Sequence, residues 1–492
     1  MIRKLSFLAL LLYSFASFAQ KAANPKPFAK TITPADLKQR LYIVAGPEME
    51  GRKTATQGQR KAAEYIENQF RQLGLQAGNN NSYQQYYTVY QDSLTHAAIE
   101  VNGKVYERGQ DFNLMPGNIT ATMRFSEAVI VGANATDSLK NTNLTGKLIV
   151  VVSNPSEGGR NPSRSPIMSV LRNKGVAAIF VVNNSFINSP YLRNNVSQTI
   201  NPYESAISPQ IFFISEPVAR AIAEADYDVV KNNTNTTKLH KAQILAQVQK
   251  QINDRLQSSN VIGLLPGTDL KDEYVVISAH YDHLGKRDSV IYYGADDDGS
   301  GTVSIMEIAE AFAKAKAAGK GPRRSIVFLA NSGEEEGLWG SEHYTGHPTF
   351  PLAKTTVNLN IDMIGRTDSS RKHGDSANYV YVVGDDKLSS DLRTISEAQN
   401  KKYLNMELDY KFNDPNDRER IYYRSDHYNF AKNGVPIIFY YDGMLGADYH
   451  KPTDTPDKIN YNLLAKRAQL VFYTAWDMAN RNDMLKRDIP LK

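Results

Sequence analysis

The second half of this chain alternates short apolar runs with helical patterns, and a metal-binding residue type follows the end of one run after another. Asn260–Leu265, Tyr274–Ala279, Ser325–Ala330, Val357–Ile361, Val380–Val383 and Val435–Tyr441 read as strands, while Gly301–Ala318 and Tyr461–Asn480 carry helical spacing. That alternation predicts an α/β fold with a mixed, mostly parallel central sheet covered by helices on both faces. In open sheets of this kind, sites are built at the carboxyl ends of the strands. His280, Asp297, Glu335, Asp362 and His450 all fall at or just after such ends, each inside its own short motif.

Length calls for more than one core. At 492 residues, two or three units are expected. A composition 41 % apolar and 22 % charged is that of a soluble globular protein. The formal charge of +5 is small for the length and there is no Lys/Arg-rich block, which excludes an electrostatic footprint for nucleic acid. Residues 1–19 read as a signal peptide: Arg3 and Lys4, then apolar Leu5 to Phe15, then Ser17-Phe18-Ala19 as a small-x-small cleavage site. The apolar run is shorter than the roughly 20 residues a span requires, so no membrane span is expected after cleavage. Cysteine is absent, hence no disulfides. Together these features predict a bacterial periplasmic or secreted protein.

Thr33 is placed to cap a helix that opens at Pro34, and Thr56–Leu73 has amphipathic helical spacing; Glu48–Arg52 between them reads as a polar loop. From residue 92 to 256 the texture changes. Short strand-like runs (Ala98–Val101, Ala128–Val131, Lys147–Val152, Ala177–Val182, Gln210–Ile214) alternate with Gly, Asn, Pro and Ser clusters, helical patterns appear at Ile167–Asn173 and Glu216–Ala225, and there is no catalytic constellation. This predicts a β-rich unit, 92–256, inserted into a discontinuous domain made of 30–91 and 257–485.

Two imidazoles and three carboxylates suit a two-metal hydrolytic centre. In SAHYDH, extended-chain alternation puts His280 and Asp282 on one side, so the carboxylate can hold the second imidazole nitrogen. His283 is expected to face away. In GADDDGSG, Asp297 lies among three acids before a helix, where acids are also favoured by the helix dipole. Glu334 and Glu335 are adjacent, so one can bind metal while the other stays free to move protons. Three carboxylates and two neutral imidazoles leave one positive charge on two divalent ions, which a bridging hydroxide would neutralise. With no thiolate ligand, two Zn2+ ions are the best match, with Co2+ or Mn2+ as substitutes.

HYDH, GADDDGSG, GEEEGLWGS, NLNIDMIGR, RSDHYNF and the DYHxPxDTxDKI run occur in an order that resembles the M28 family of zinc peptidases, most closely its exported bacterial aminopeptidases. The likeness covers Thr33 to about Thr88 and Gln257 to about Asn480. It implies a zinc-exopeptidase-like fold and, for 92–256, a protease-associated (PA) domain. It further implies that His280 and Asp362 bind one zinc, Glu335 and His450 the other, and that Asp297 bridges them. Glu334 would be the general base and Asp282 would orient His280. The Asp297–Asp298 peptide would be cis, and Tyr422 would correspond to a tyrosine that stabilises the oxyanion in some members. The implied function is hydrolysis of N-terminal residues from peptides or proteins. A carboxypeptidase of the same superfamily, a glutaminyl cyclase and a non-catalytic receptor-like relative are the alternatives.

Overall fold

The computed structural model describes residues 23–115, 120–152, 165–185, 187, 189, 192, 195–203 and 208–491. The expected signal peptide lies outside them. The chain divides into two compact units, Met1–Tyr86 with Ser258–Lys492, and Tyr87–Gln257.

In the first unit the sheet runs Glu407–Asp409, Tyr379–Val383, Ile437–Tyr441, Thr355–Ile361, Leu270–His280, Arg324–Asn331 and then residues 261–265. Four of the six pairings along this path are parallel, and two are antiparallel. Alternation along the central strands feeds two cores. Val275, Ile277, Ile326 and Phe328 pack with Leu37, Ile66, Phe312 and Phe472 from the helices Pro34–Val44, Gln57–Gln72, Gly301–Ala317 and Tyr461–Asn480. Val276, Val327 and Leu329 pack on the other face with Tyr344 and Phe430 from Trp339–Gly346 and His427–Lys432. Burial on both faces is why these strands are apolar without interruption.

Register sets the site. His280 lies opposite Asn331, and Ser278 opposite Asn360, so three parallel strands end at the same edge of the sheet. Asp362 follows one of those ends directly, and Glu334 and Glu335 follow another by a short loop. At the other extreme of the domain, Thr33 accepts the Asp36 N–H at 3.2 Å and caps its helix. Two helices carry little hydrophobic signal. Leu392–Tyr403 buries only Leu392, Ser396 and Asn400, and Trp339–Gly346 contains two glycines, which disfavour helix by themselves.

The second unit is not simply β-rich. Its sheet orders Phe112–Leu114, Gln210–Ile214, Ala178–Val182, Leu148–Val152 and Ala121–Gly132, followed by residues 237–248. The inner pairings are parallel. Helices cover both faces, with Val218, Ile222 and Tyr227 in one core and Ile167, Met168 and Leu171 in the other. The helices are short, at eight residues or fewer, and two of them, Pro166–Arg172 and Glu216–Ala223, coincide with the helical spacing of Ile167–Asn173 and Glu216–Ala225.

Candidate metal centre

His280 is the last residue of its strand and is almost fully buried. Its Nδ1 lies 3.1 Å from the main-chain carbonyl of Asp282, and its Nε2 points to Asp297 Oδ1 at 3.3 Å and Asp362 Oδ1 at 3.7 Å. The Asp282 carboxylate is 3.6 Å from Nδ1, so the two residues do share a side. Its hydrogen bonds, however, come from the Glu334 N–H at 3.2 Å and the Thr54 hydroxyl at 2.8 Å. Asp282 thus steadies the imidazole through its backbone, while its carboxylate anchors the loop that bears Glu334.

Asp297 sits in the turn Ala295–Ser300, and the Asp297–Asp298 peptide is cis. Its two acidic neighbours tie loops together. Asp296 Oδ1 accepts the Gly365 N–H at 2.7 Å, and Asp298 Oδ1 accepts the N–H groups of Gly301 at 2.8 Å and Met363 at 3.0 Å. Asp454 in turn accepts the N–H groups of Asp296 and Asp297 at 3.0 and 3.1 Å. Gly294 begins the turn at φ +55°, where a Cβ would stand 2.3 Å from the Asp297 carbonyl and 2.4 Å from His283 Cγ. Only glycine meets both demands.

On the far side of Asp297, His450 Nε2 lies 3.2 Å from Asp297 Oδ2 and 3.0 Å from Glu335 Oε2. His283 does not face away as expected. Its Nδ1 is 2.7 Å from Glu335 Oε1 and 3.9 Å from Asp297 Oδ2. Strand alternation does not reach it, because the strand ends at His280 and the chain turns through Tyr281 and Asp282.

The ligand-type atoms form two groups, His280–Asp297–Asp362 and His283–Asp297–Glu335, each within 4.8 Å, with Asp297 common to both. Several of these atoms are buried in close contacts that lack hydrogen-bond geometry: His280 Nε2, both nitrogens of His283, Asp297 Oδ2 and Glu335 Oε1. Buried polar atoms are normally satisfied. A convergence of orphaned imidazole and carboxylate atoms therefore fits a pair of divalent cations. Burial would raise Asp297, but the imidazoles of His280, His450 and His283 hold it well below the usual carboxylate range. Burial, reinforced by Asp362, Glu335 and Asp426, pushes Glu334 well above that range despite His280 nearby.

Asp297, Glu334 and Asp362 line a cleft together with Ile421, Arg424, Phe439, Tyr441, Leu445 and Tyr449. Tyr422 is not among the lining residues. It is buried, with its ring against Tyr423, Tyr428 and His427 and Lys387 Nζ 5.1 Å from the ring centroid. The tyrosines that reach the cleft are Tyr441 and Tyr449, and Tyr449 stacks on His450 at 3.8 Å.

Sequence reasoning also passed over residues 52–54, read only as the end of a polar loop and its continuation. Arg52 is fully buried and donates to the carbonyls of Tyr281, Val44, Tyr293 and Gly294 at 2.7 to 2.9 Å. It binds together the loops on either side of His283 and Asp297. Lys53 Nζ meets Glu336 at 2.6 Å, and Thr54 holds Asp282. The available signal was an isolated arginine beside a glycine, Gly51, held at φ +67°.

A family model described as "Peptidase family M28" matches residues 260–475. The chain is 30 % identical over 240 residues to a probable leucine aminopeptidase of Trichophyton verrucosum, a match covering 48 % of this chain and 61 % of that protein. The chain thus spans less than two thirds of that relative's length. It is 29 % identical over 134 residues to a vacuolar membrane protease of Candida dubliniensis, covering 27 % of this chain and 13 % of that protein. Among solved structures, an aminopeptidase from Aneurinibacillus sp. strain AM-1 superposes with a TM-score of 0.57 at 17 % identity, covering 95 % of this chain and 99 % of that one. A zinc aminopeptidase from Bacillus subtilis gives 0.53 at 18 % identity, covering 93 % and 99 %. At these identities the likeness shows a shared fold.

The expected bacterial periplasmic or secreted location is overturned by these matches. Relatives described as vacuolar membrane proteases come from the fungi Candida dubliniensis, Tuber melanosporum and Candida tropicalis. The leader on which the expectation rested falls outside the described residues. Among the described residues no helix is long and apolar enough to cross a membrane.

Proposed function

Residues 260–475 being a peptidase family M28 domain, we propose that this chain is a metalloaminopeptidase that removes N-terminal residues from peptides. The observation that carries the reading is the division of five ligand-type side chains about Asp297, with His280 and Asp362 on one side and Glu335 and His450 on the other. In this reading those residues hold two zinc ions, replaceable by Co2+ or Mn2+, which when bound polarise the scissile carbonyl and lower the pKa of water.

The remaining chemistry belongs to the protein. Glu334 lines the cleft, and it is not among the residues of either ligand group. A carboxylate so placed suits a base that takes a proton from the attacking water and passes it to the leaving amine. Asp282 fixes the backbone of Glu334 and the ring of His280 together. The oxyanion role expected of Tyr422 falls in this reading to Tyr449, which lines the cleft. Its hydroxyl accepts from Arg424 Nη2 at 3.1 Å, which leaves its own O–H free to donate to the developing oxyanion. His283 orients Glu335 through the 2.7 Å contact.

The test is a panel of aminoacyl anilides and short peptides given to protein loaded with zinc, with each substrate also offered in N-acetylated form. Substrates with a free α-amine should be cleaved and their acetylated forms spared, with two metals per chain by elemental analysis. Cleavage indifferent to acetylation, or release of C-terminal residues alone, would defeat the proposal.

A further inference from the structure

We infer that Arg424 forms a carboxylate-binding subsite in the wall of the catalytic cleft, so that the enzyme favours peptides carrying a carboxylate close to the scissile bond. This deepens the aminopeptidase reading and rests on it. Arg424 lines the same cleft as Asp297, Glu334 and Asp362. Its bonding is unlike that of neighbouring arginines. Arg366, Arg371 and Arg393 each clasp a carboxylate, at 3.0, 2.5 and 2.8 Å. Among the described residues the only carboxylate within 4.0 Å of Arg424 is Glu419, at 3.8 Å from Nη1, on a side chain that is 62 % exposed. An ion pair that long and that wet contributes little and is readily exchanged for a ligand.

One N–H of the guanidinium is spent on the Tyr449 hydroxyl at 3.1 Å, and the Arg424 side chain remains 35 % exposed. That leaves N–H groups in the fork geometry that suits a carboxylate, held in place by the tyrosine. Ile421, Phe439 and Leu445 make much of the remaining wall apolar, and the hydroxyls of Tyr441 and Tyr449 are the other side-chain donors there. The carboxylates that line the same cleft are the ones read as metal ligands and base, and metal would take up their charge. Arg424 is then the cation that meets the substrate. The carboxylate it recognises is either the C-terminus of a dipeptide or an acidic side chain at the N-terminal residue.

Binding separates these sources and isolates the subsite from turnover. Zinc-loaded Glu334→Gln protein is titrated by calorimetry with Leu-Gly against Leu-Gly-amide, and with Asp-Gly-amide against Asn-Gly-amide. One acidic member should bind about tenfold or more tightly than its neutral counterpart, the size of one charge-assisted hydrogen bond. Adding Arg424→Met should erase that ratio, and Arg424→Lys should keep part of it, with unfolding midpoints close to the parent. The same ratio should appear in kcat/KM when Glu334 is intact. Absence of a ratio in both pairs, or a ratio that survives Arg424→Met, overturns the subsite. If the neutral amides are still cleaved in that case, the aminopeptidase reading stands without it. If no peptide is bound or cleaved, both fall together.

Discussion

The Thr54 hydroxyl donates to Asp282 Oδ2 at 2.8 Å, and both residues are buried. Through the other carboxylate oxygen, Asp282 accepts the N–H of Glu334. A residue more than two hundred positions upstream thus helps to set the backbone of the proposed base. Thr54→Val keeps the shape and removes the donor, leaving a charged oxygen buried without a partner at a cost of about 1–3 kcal/mol. The expected result is lower kcat with little change in KM and unchanged zinc content, and Thr54→Ser should restore it. Urea unfolding and steady-state kinetics check both. A Thr54→Val enzyme with full kcat would show that the contact is only structural.

Glu334 and Asp297 differ in what their loss removes. Glu334→Gln should retain two metals and lose about 10²–10⁴ in kcat, the range of general acid–base catalysis. Asp297→Asn should lose metal occupancy first, because both ligand groups share it. Elemental analysis beside kcat separates the two. If Glu334→Gln retained substantial turnover, the base would have to be another group.

What could be read from the sequence depended on how local each signal was. Strands buried on both faces are nearly continuous apolar runs, so Leu270–His280 and Thr355–Ile361 were legible, along with the ligand-type residues His280 and Asp362 at their ends. His283 was misread because alternation holds only within a strand, and its place depends on a turn set by Gly294 and Arg52. Tyr422 was matched by its distance from Ser425-Asp426-His427, yet spacing along a loop does not fix which tyrosine faces the cleft. Arg52 and Thr54 were invisible as site residues because their partners are distant in the chain and supplied no periodicity. In the second unit the spacing was enough for Pro166–Arg172 and Glu216–Ala223, whereas Ala225–Asn232, only eight residues long, did not stand out from its surroundings.

A pH-dependent prediction comes from a pair remote from the ligands. Arg40 Nε lies 2.6 Å from Glu307 Oε1, whose side chain is 1 % exposed. Burial raises Glu307 to about 7 from its ordinary 4.5, even though Arg40 acts to lower it. A carboxyl raised in the folded state holds more protons folded than unfolded between those values, so stability falls as pH rises through that window. Removing Arg40 raises the folded pKa further and extends the loss upward. Arg40→Met should therefore cost up to about 1.4 kcal/mol more at pH 8, one unit above the folded value, than at pH 5, where Glu307 is protonated in both proteins. Equal losses at both pH values in urea unfolding would refute this.

Gly294→Ala tests the turn that carries the shared ligand. The added methyl would meet the Asp297 carbonyl at 2.3 Å and the His283 ring at 2.4 Å, in a backbone conformation at φ +55° that alanine resists. Neither contact can relax without moving a residue of the centre. The variant should fold with reduced stability, of order 1–3 kcal/mol for the strained backbone alone, and bind zinc more weakly, as read by competition with a chromophoric chelator. Unchanged zinc affinity would mean that the turn tolerates displacement.

His450 and His283 flank opposite oxygens of Glu335, at 3.0 Å from Oε2 and 2.7 Å from Oε1, and the two readings of that arrangement predict different losses. If His450 is the ligand and His283 steadies Glu335, His450→Ala should drop the stoichiometry from two metals to one. His283→Ala should then keep both at saturating zinc with weaker affinity, since losing a group that orients a ligand costs 10–100-fold in metal binding. The stabilisation conferred by metal scales as RT ln(1 + [L]/Kd), so a hundredfold weaker site gives back about 2.7 kcal/mol at fixed free zinc. Thermal unfolding across a zinc series therefore ranks the two histidines without any substrate. Should His283→Ala lose a metal outright while His450→Ala does not, the ligand and its support exchange places.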